Sequence, residues 1–130
     1  MNKIELHAVL PEVFAQRTDI DSEIWQQEVC FERGHLYLIE ADSGTGKSSL
    51  CSYIIGYRHD YRGTIEFDGK NISNLKVMGW VDVRKHSLSH LFQELRLFPE
   101  LTAYENVEIK NKLTGFKTAK QIAEWFEMLG

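Results

Sequence analysis

Residues 41–49 read Ala-Asp-Ser-Gly-Thr-Gly-Lys-Ser-Ser, and no other stretch of the chain concentrates so much chemistry of one kind. Backbone N–H groups wrap an anion only where the chain turns tightly and no side chain intrudes, a condition that Gly44 and Gly46 meet. Lys47 adds a point charge suited to outer phosphate oxygens. Ser48 offers a hydroxyl to a hard divalent cation that otherwise relies on phosphate oxygens and water, and Ser49 can donate to a more buried phosphate. A helix beginning at this point would direct its unpaired N–H groups and positive dipole end at the same anion.

That geometry needs a strand before the loop and a helix after it. His35 to Ala41 is a short apolar run bounded by Gly34 and the Ser-Gly-Thr-Gly turn, the pattern of a buried strand in a parallel sheet. Leu50, Tyr53 and Ile54 recur at helical spacing, and Gly56 stands where a C-terminal cap belongs. Upstream, Ile4, Leu6 and Ala8 alternate with polar neighbours until Pro11 closes the strand, and Val29 and Phe31 mark a second one before the turn at residues 32–34. Residues 64–72 carry an alternating strand that enters an Asp-Gly turn. Thr102 with Glu105, and Thr118 with Gln121, have the spacing of capping boxes and predict two helix starts. Ile122, Trp125, Phe126 and Leu129 form an apolar stripe on the second helix, and Gly130 falls at its C-cap.

The bulk properties exclude several classes. A chain of 130 residues with 43% hydrophobic and 26% charged residues is an ordinary globular sequence of at most one domain. Its net charge of −4 gives no general attraction to nucleic acid or anionic lipid, and the pairs Lys110/Lys112 and Arg84/Lys85 read as solvated faces. Cys30 and Cys51 are too few for a disulfide framework or a structural zinc site and are expected to be reduced. The five histidines show no catalytic pairing and are expected to be structural or solvated. No stretch approaches the apolar length of a membrane span, and the start lacks a signal-peptide run.

The pattern Ala41-x-x-x-x-Gly46-Lys47-Ser48 is a Walker A loop with alanine in place of the first glycine. The class comes from residues 91–107, Leu-Phe-Gln-Glu-Leu-Arg-Leu-Phe-Pro-Glu-Leu-Thr-Ala-Tyr-Glu-Asn-Val, which resembles the Q-loop region of ABC ATPases throughout. Residues 63–72 are similar to that family's Gly-x-Ile-x-x-x-Gly-x-x-Ile hairpin. The resemblance spans nearly the whole chain. It implies an α/β fold, the P-loop NTPase core of ABC-ATPase type, here incomplete. That core would hold antiparallel strands over 1–34, the phosphate-loop strand and helix over 35–56, a β hairpin over 63–72, and the Q-loop with following helices over 87–130.

By the same resemblance, the cofactors are ATP and Mg2+. Ser43, Gly44, Thr45, Gly46, Lys47, Ser48 and Ser49 would bind the nucleotide, Ser48 and Gln93 would meet the metal, and Gln93 would be the catalytic-site residue beside the attacking water. Its amide both donates and accepts without adding charge. The partners implied are a transmembrane permease meeting the Q-loop region and a second ATPase domain in a dimer, which puts the chain at the cytoplasmic face of the membrane. Phe14 is a weak candidate for stacking adenine, and Trp25 reads as core.

The family's Leu-Ser-Gly-Gly-Gln signature, its Walker B strand ending Asp-Glu and its switch histidine are not in these 130 residues. Asp82 follows apolar residues but precedes the Q-loop, the wrong order for Walker B. Without that glutamate no residue orients or deprotonates water, so the chain alone is expected to bind ATP without hydrolysing it. The sheet is also expected to have a hole, which points to a segment of a longer protein or a chain completed by another polypeptide. A non-hydrolysing nucleotide-binding or interaction module is the alternative. A small phosphate-loop kinase is a third reading, disfavoured because Arg96 is accounted for by the Q-loop match and no other arginine suggests a lid.

Overall fold

The computed structural model describes residues 1–94 and 96–130, so Leu95 of the Q-loop segment lies outside the described residues. The chain divides into two compact units, residues 1–82 and 83–130.

The first unit is built on a four-stranded antiparallel sheet in the order β2-β1-β3-β4. Its strands are β1 (Lys3–Pro11), β2 (Glu28–Glu32), β3 (Tyr61–Phe67) and β4 (Lys70–Asn71). In register, Ile4 faces Phe31 and Phe67, and Leu6 faces Val29 and Ile65, so one face of the sheet is apolar as the alternation requires. The expected inward set Ile4, Leu6, Ala8 does not hold to its end. A bulge shifts the register between His7 and Leu10, Ala8 takes φ +48°, and Leu6, Val9, Leu10 and Pro11 are the buried residues. One extra residue in a strand reverses the face of everything after it. Gly63 lies opposite this bulge, where a Cβ would stand 2.5 Å from the carbonyl oxygens of His7 and Ala8.

Helix α1 (Lys47–Ile54) follows the phosphate loop as expected and ends before Gly56, whose φ is +69°. It buries Leu50 and Tyr53, and the Tyr53 ring lies 4.8 Å from that of Tyr61 on β3. The expected strand at residues 35–41 does not form: the segment is irregular, and Leu36 and Leu38 are 99% and 83% exposed. A strand exists only through hydrogen bonds to a neighbour, and among the described residues every ladder is antiparallel and none reaches this segment. It is tied back to β2 by Tyr37, whose hydroxyl accepts from the Glu32 N–H at 3.0 Å while its ring meets Phe31 edge-on.

Helix α2 (Val77–His86) had no clear signature in the sequence. Asp82 therefore sits in a helix, which also removes it as the end of a Walker B strand. Trp80 of α2 packs where a Cβ on Gly56 would stand, 2.5 Å from the ring, and meets Phe67 edge-on.

In the second unit, α3 (Ala103–Thr114) and α4 (Ala119–Leu129) both start with complete capping boxes, Thr102 with Glu105 and Thr118 with Gln121, as the spacing requires. Asn111 clasps the connection between them through both atoms of its amide, to Lys117 N and O at 2.8 Å each. Of the apolar stripe on α4, Ile122 is buried and Phe126 half-buried against Tyr104, whereas Leu129 is 87% exposed.

Candidate functional site

Gly44 and Gly46 take φ of +84° and +99°, the left-handed region the loop reading requires of them. They answer to different constraints. Nothing lies within 4 Å of a Cβ placed on Gly44, but one on Gly46 would meet Trp25 Cζ2 at 2.9 Å and Phe14 Cε2 at 3.3 Å. The loop backbone at Gly46 thus rests directly on two aromatic rings, and only glycine lets it approach so closely.

Gly46 is also the N-cap of α1, so Lys47, Ser48 and Ser49 form the helix's first turn with its free N–H groups. The Lys47 ammonium turns back over the loop, donating to the carbonyls of Ala41 and, at 2.7 Å, of Asp42. The Thr45 hydroxyl donates to the same Asp42 carbonyl at 2.7 Å. Ser43 and Ser48 are exposed. The Ser49 hydroxyl accepts from Arg58 Nη1 at 3.1 Å. Arg58 is held in turn by Asp60, with Nε to Oδ1 at 2.9 Å. That guanidinium keeps the Asp60 carboxyl below the usual carboxylate range.

Beside the loop opens a cavity of about 540 Å³, a size typical of small-molecule sites. Phe14, Arg17, Trp25, Ala41, Asp42 and Lys47 are among its lining residues, and the Arg17 guanidinium lies 5.5 Å from the Phe14 ring centroid. Trp25 is 7% exposed, in keeping with its reading as core. It has a second role the sequence reading missed, since its Nε1 donates to the Thr45 carbonyl at 2.9 Å. The signal was available: a buried indole needs an acceptor, and the polar loop downstream is rich in them.

Gln93 belongs to the second unit, exposed in irregular chain directly after Phe92. Phe92 has the His90 ring edge-on at 4.4 Å and the Arg96 guanidinium at 4.2 Å. The rest of the segment is organised by Asn106. Its Oδ1 accepts from Phe98 N at 2.8 Å, and its Nδ2 lies 3.0 to 3.2 Å from the carbonyls of Phe98, Leu101 and Thr102. The Glu-Asn pair of the motif therefore has a physical division of labour, Glu105 closing the capping box and Asn106 folding residues 98–102 onto the start of α3. Among the described residues, no cluster of three or more His, Cys, Asp or Glu side chains could hold a metal ion. Nor is any helix among them long and apolar enough to cross a membrane.

Comparison with known proteins agrees with the loop and Q-loop motifs. The family model described as ABC transporter matches residues 26–130. The chain is 33% identical over 97 residues to the ABC transporter ATP-binding protein YtrE of Bacillus subtilis, covering 75% of this chain and 42% of that protein. It is 33% identical over 101 residues to the uncharacterized ABC transporter ATP-binding protein YclH of the same organism, covering 78% and 43%. The glycine betaine/carnitine transport ATP-binding protein GbuA of Listeria monocytogenes is 33% identical over 102 residues, covering 76% and 26%. The chain thus spans less than half the length of these relatives. With the loop, the helix behind it and the Q-loop segment all falling within residues 26–130, the chain belongs to the ABC transporter ATP-binding domain family.

Proposed function

We propose that this chain supplies the phosphate-binding part of an ABC transporter ATPase and binds ATP with Mg2+ on residues 41–49. The observation that carries this reading is the loop at Gly46: left-handed backbone seated on Phe14 and Trp25, opening straight into the first turn of α1. The residues present fit the group. Ser43, Gly44, Thr45 and Gly46 contribute backbone to the cradle, Lys47 has to exchange its bonds to the Ala41 and Asp42 carbonyls for phosphate oxygens, and Ser48 stands in the first turn with an exposed hydroxyl for Mg2+. Ser49, oriented by Arg58, donates to a phosphate oxygen. The adjoining cavity has the volume to accept the nucleoside, with the Phe14 ring on its wall.

By its family resemblance Gln93 would serve Mg2+ and the attacking water in the whole ATPase, and the exposed apolar residues after it, Leu97 and Phe98, meet a transmembrane permease. A second ATPase domain pairs with this one at the cytoplasmic face of the membrane. The reaction of the whole assembly is ATP hydrolysis coupled to transport. These 130 residues alone bind ATP without hydrolysing it, since they hold no carboxylate in the Walker B position to activate water.

Equilibrium binding of ATP to the chain and to Lys47→Ala, with and without Mg2+, tests the reading. Loss of one charge-assisted contact is expected to weaken binding roughly ten-fold or more. Affinity unchanged by the substitution would remove the proposal.

A further inference from the structure

We infer that Trp25 is a positioning residue for the phosphate loop, setting the direction of its backbone N–H groups through Thr45 and Gly46; this rests on the nucleotide-binding reading above. The indole N–H holds the Thr45 carbonyl at 2.9 Å. Across a planar trans peptide the carbonyl and the following N–H point in opposite directions, so fixing the Thr45 oxygen toward the indole aims the Gly46 N–H away from it. The ring itself supports Gly46 from below, close enough that a Cβ there would stand 2.9 Å from Cζ2.

Trp25 is a firm reference point because its own backbone is tied down on both sides. The Ser22 hydroxyl accepts from the N–H groups of Ile24 and Trp25 at 3.1 and 3.0 Å. Gln26 N donates to the Val9 carbonyl at 2.9 Å, and Ala8 N donates to the Gln27 carbonyl at 3.1 Å, so the segment is joined to β1. The loop needs such a reference. The segment before it, residues 35–41, belongs to no ladder, and Gly46 as N-cap has no side chain with which to fix the helix start. Alignment of the loop to the sheet therefore runs from β1 through residues 24–27 and the indole to Thr45.

The test compares Trp25→Phe, which keeps an aromatic ring and loses the N–H, with the unaltered chain. Two ligands are used, Mg-ATP and inorganic tripolyphosphate, the latter having neither base nor ribose to touch the cavity wall. Trp25→Phe is expected to weaken both about five-fold, with the chain still folded and its melting temperature lowered by only the few degrees that loss of one neutral hydrogen bond implies. In a Trp80→Phe/Trp125→Phe background, where Trp25 is the sole indole, its emission is expected to shift on titration with tripolyphosphate. Equal affinities of Trp25→Phe and parent would overturn the inference, as would a loss confined to ATP or an emission that does not respond. If Lys47→Ala loses binding while Trp25→Phe does not, this inference alone fails; if Lys47→Ala binds as the parent does, the nucleotide reading fails with it.

Discussion

The indole N–H of Trp25 and the carbonyl of Thr45 meet at 2.9 Å, joining a buried residue of the segment hydrogen-bonded to β1 to the phosphate loop. The contact explains why the two loop glycines are not equivalent. Both take positive φ, but only Gly46 is pressed against other atoms.

Alanine at either position should separate these constraints. Gly44→Ala meets only the left-handed backbone cost, about 1–2 kcal/mol, which urea unfolding would register. Gly46→Ala carries the same strain and also displaces the Trp25 and Phe14 rings, so its loss of stability is expected to be larger and accompanied by a change in Trp25 emission. Equal losses at the two positions would show that the aromatic floor is not a constraint.

Asn106→Ala should loosen the segment that follows Gln93. It removes a clasp on Phe98, Leu101 and Thr102 while leaving the capping box between Thr102 and Glu105 in place. The expected cost is about 1–2 kcal/mol of local stability. Hydrogen exchange at the Phe98 amide should accelerate well beyond that of amides in the middle of α3, and uniform acceleration along the helix would contradict the assignment.

On the sheet's outer face, His7 links three strands. Its Nδ1 donates to Glu28 on β2 at 2.5 Å, and its Nε2 lies 3.8 Å from Glu66 on β3. The hydrogen bond to Glu28 raises the His7 pKa above its ordinary value, with the charges of Glu28, Glu66 and Glu5 acting in the same direction. A raised folded-state value means the stabilisation is complete below the unfolded pKa of about 6.5 and is lost as pH rises through the folded value. The melting temperature of the parent should therefore fall from pH 6 to pH 8.5 by more than that of His7→Asn. The effect will be modest, because both partners face solvent. A parent and variant with parallel pH profiles would sink it.

Residues 36–39 should exchange their amide hydrogens far faster than Leu6 or Ile65, although all are apolar by sequence. Exchange protection follows hydrogen bonding, and this segment belongs to no ladder. A polypeptide that supplies parallel neighbours on both sides should bring its protection up to that of β1. Slow exchange in the chain by itself would mean that the segment is paired after all.

Local rules made much of this molecule legible. The two capping boxes, the Asp-Gly turn after β3, the helix behind the loop and the left-handed demand on Gly44 and Gly46 depend on neighbours within a few residues, and each stands where the pattern put it. The family was readable for the same reason, since its motifs are short and contiguous. Helix α2 was missed because its apolar spacing is weak and its anchor, Trp80, is defined by Gly56 and Phe67, distant in sequence.

The remainder belonged to tertiary structure. Apolar content marks residues 35–41 as suited to a buried strand, but pairing is a property of two segments, and the second is not among those described. The bulge at Ala8 moved burial from one face of β1 to the other, which no period-two pattern can anticipate. The loop's residue types were evident from the sequence alone; that Trp25 lies beneath it was decided by folding, because a hydrogen bond across 20 residues of chain depends on where β1 and α1 come to rest.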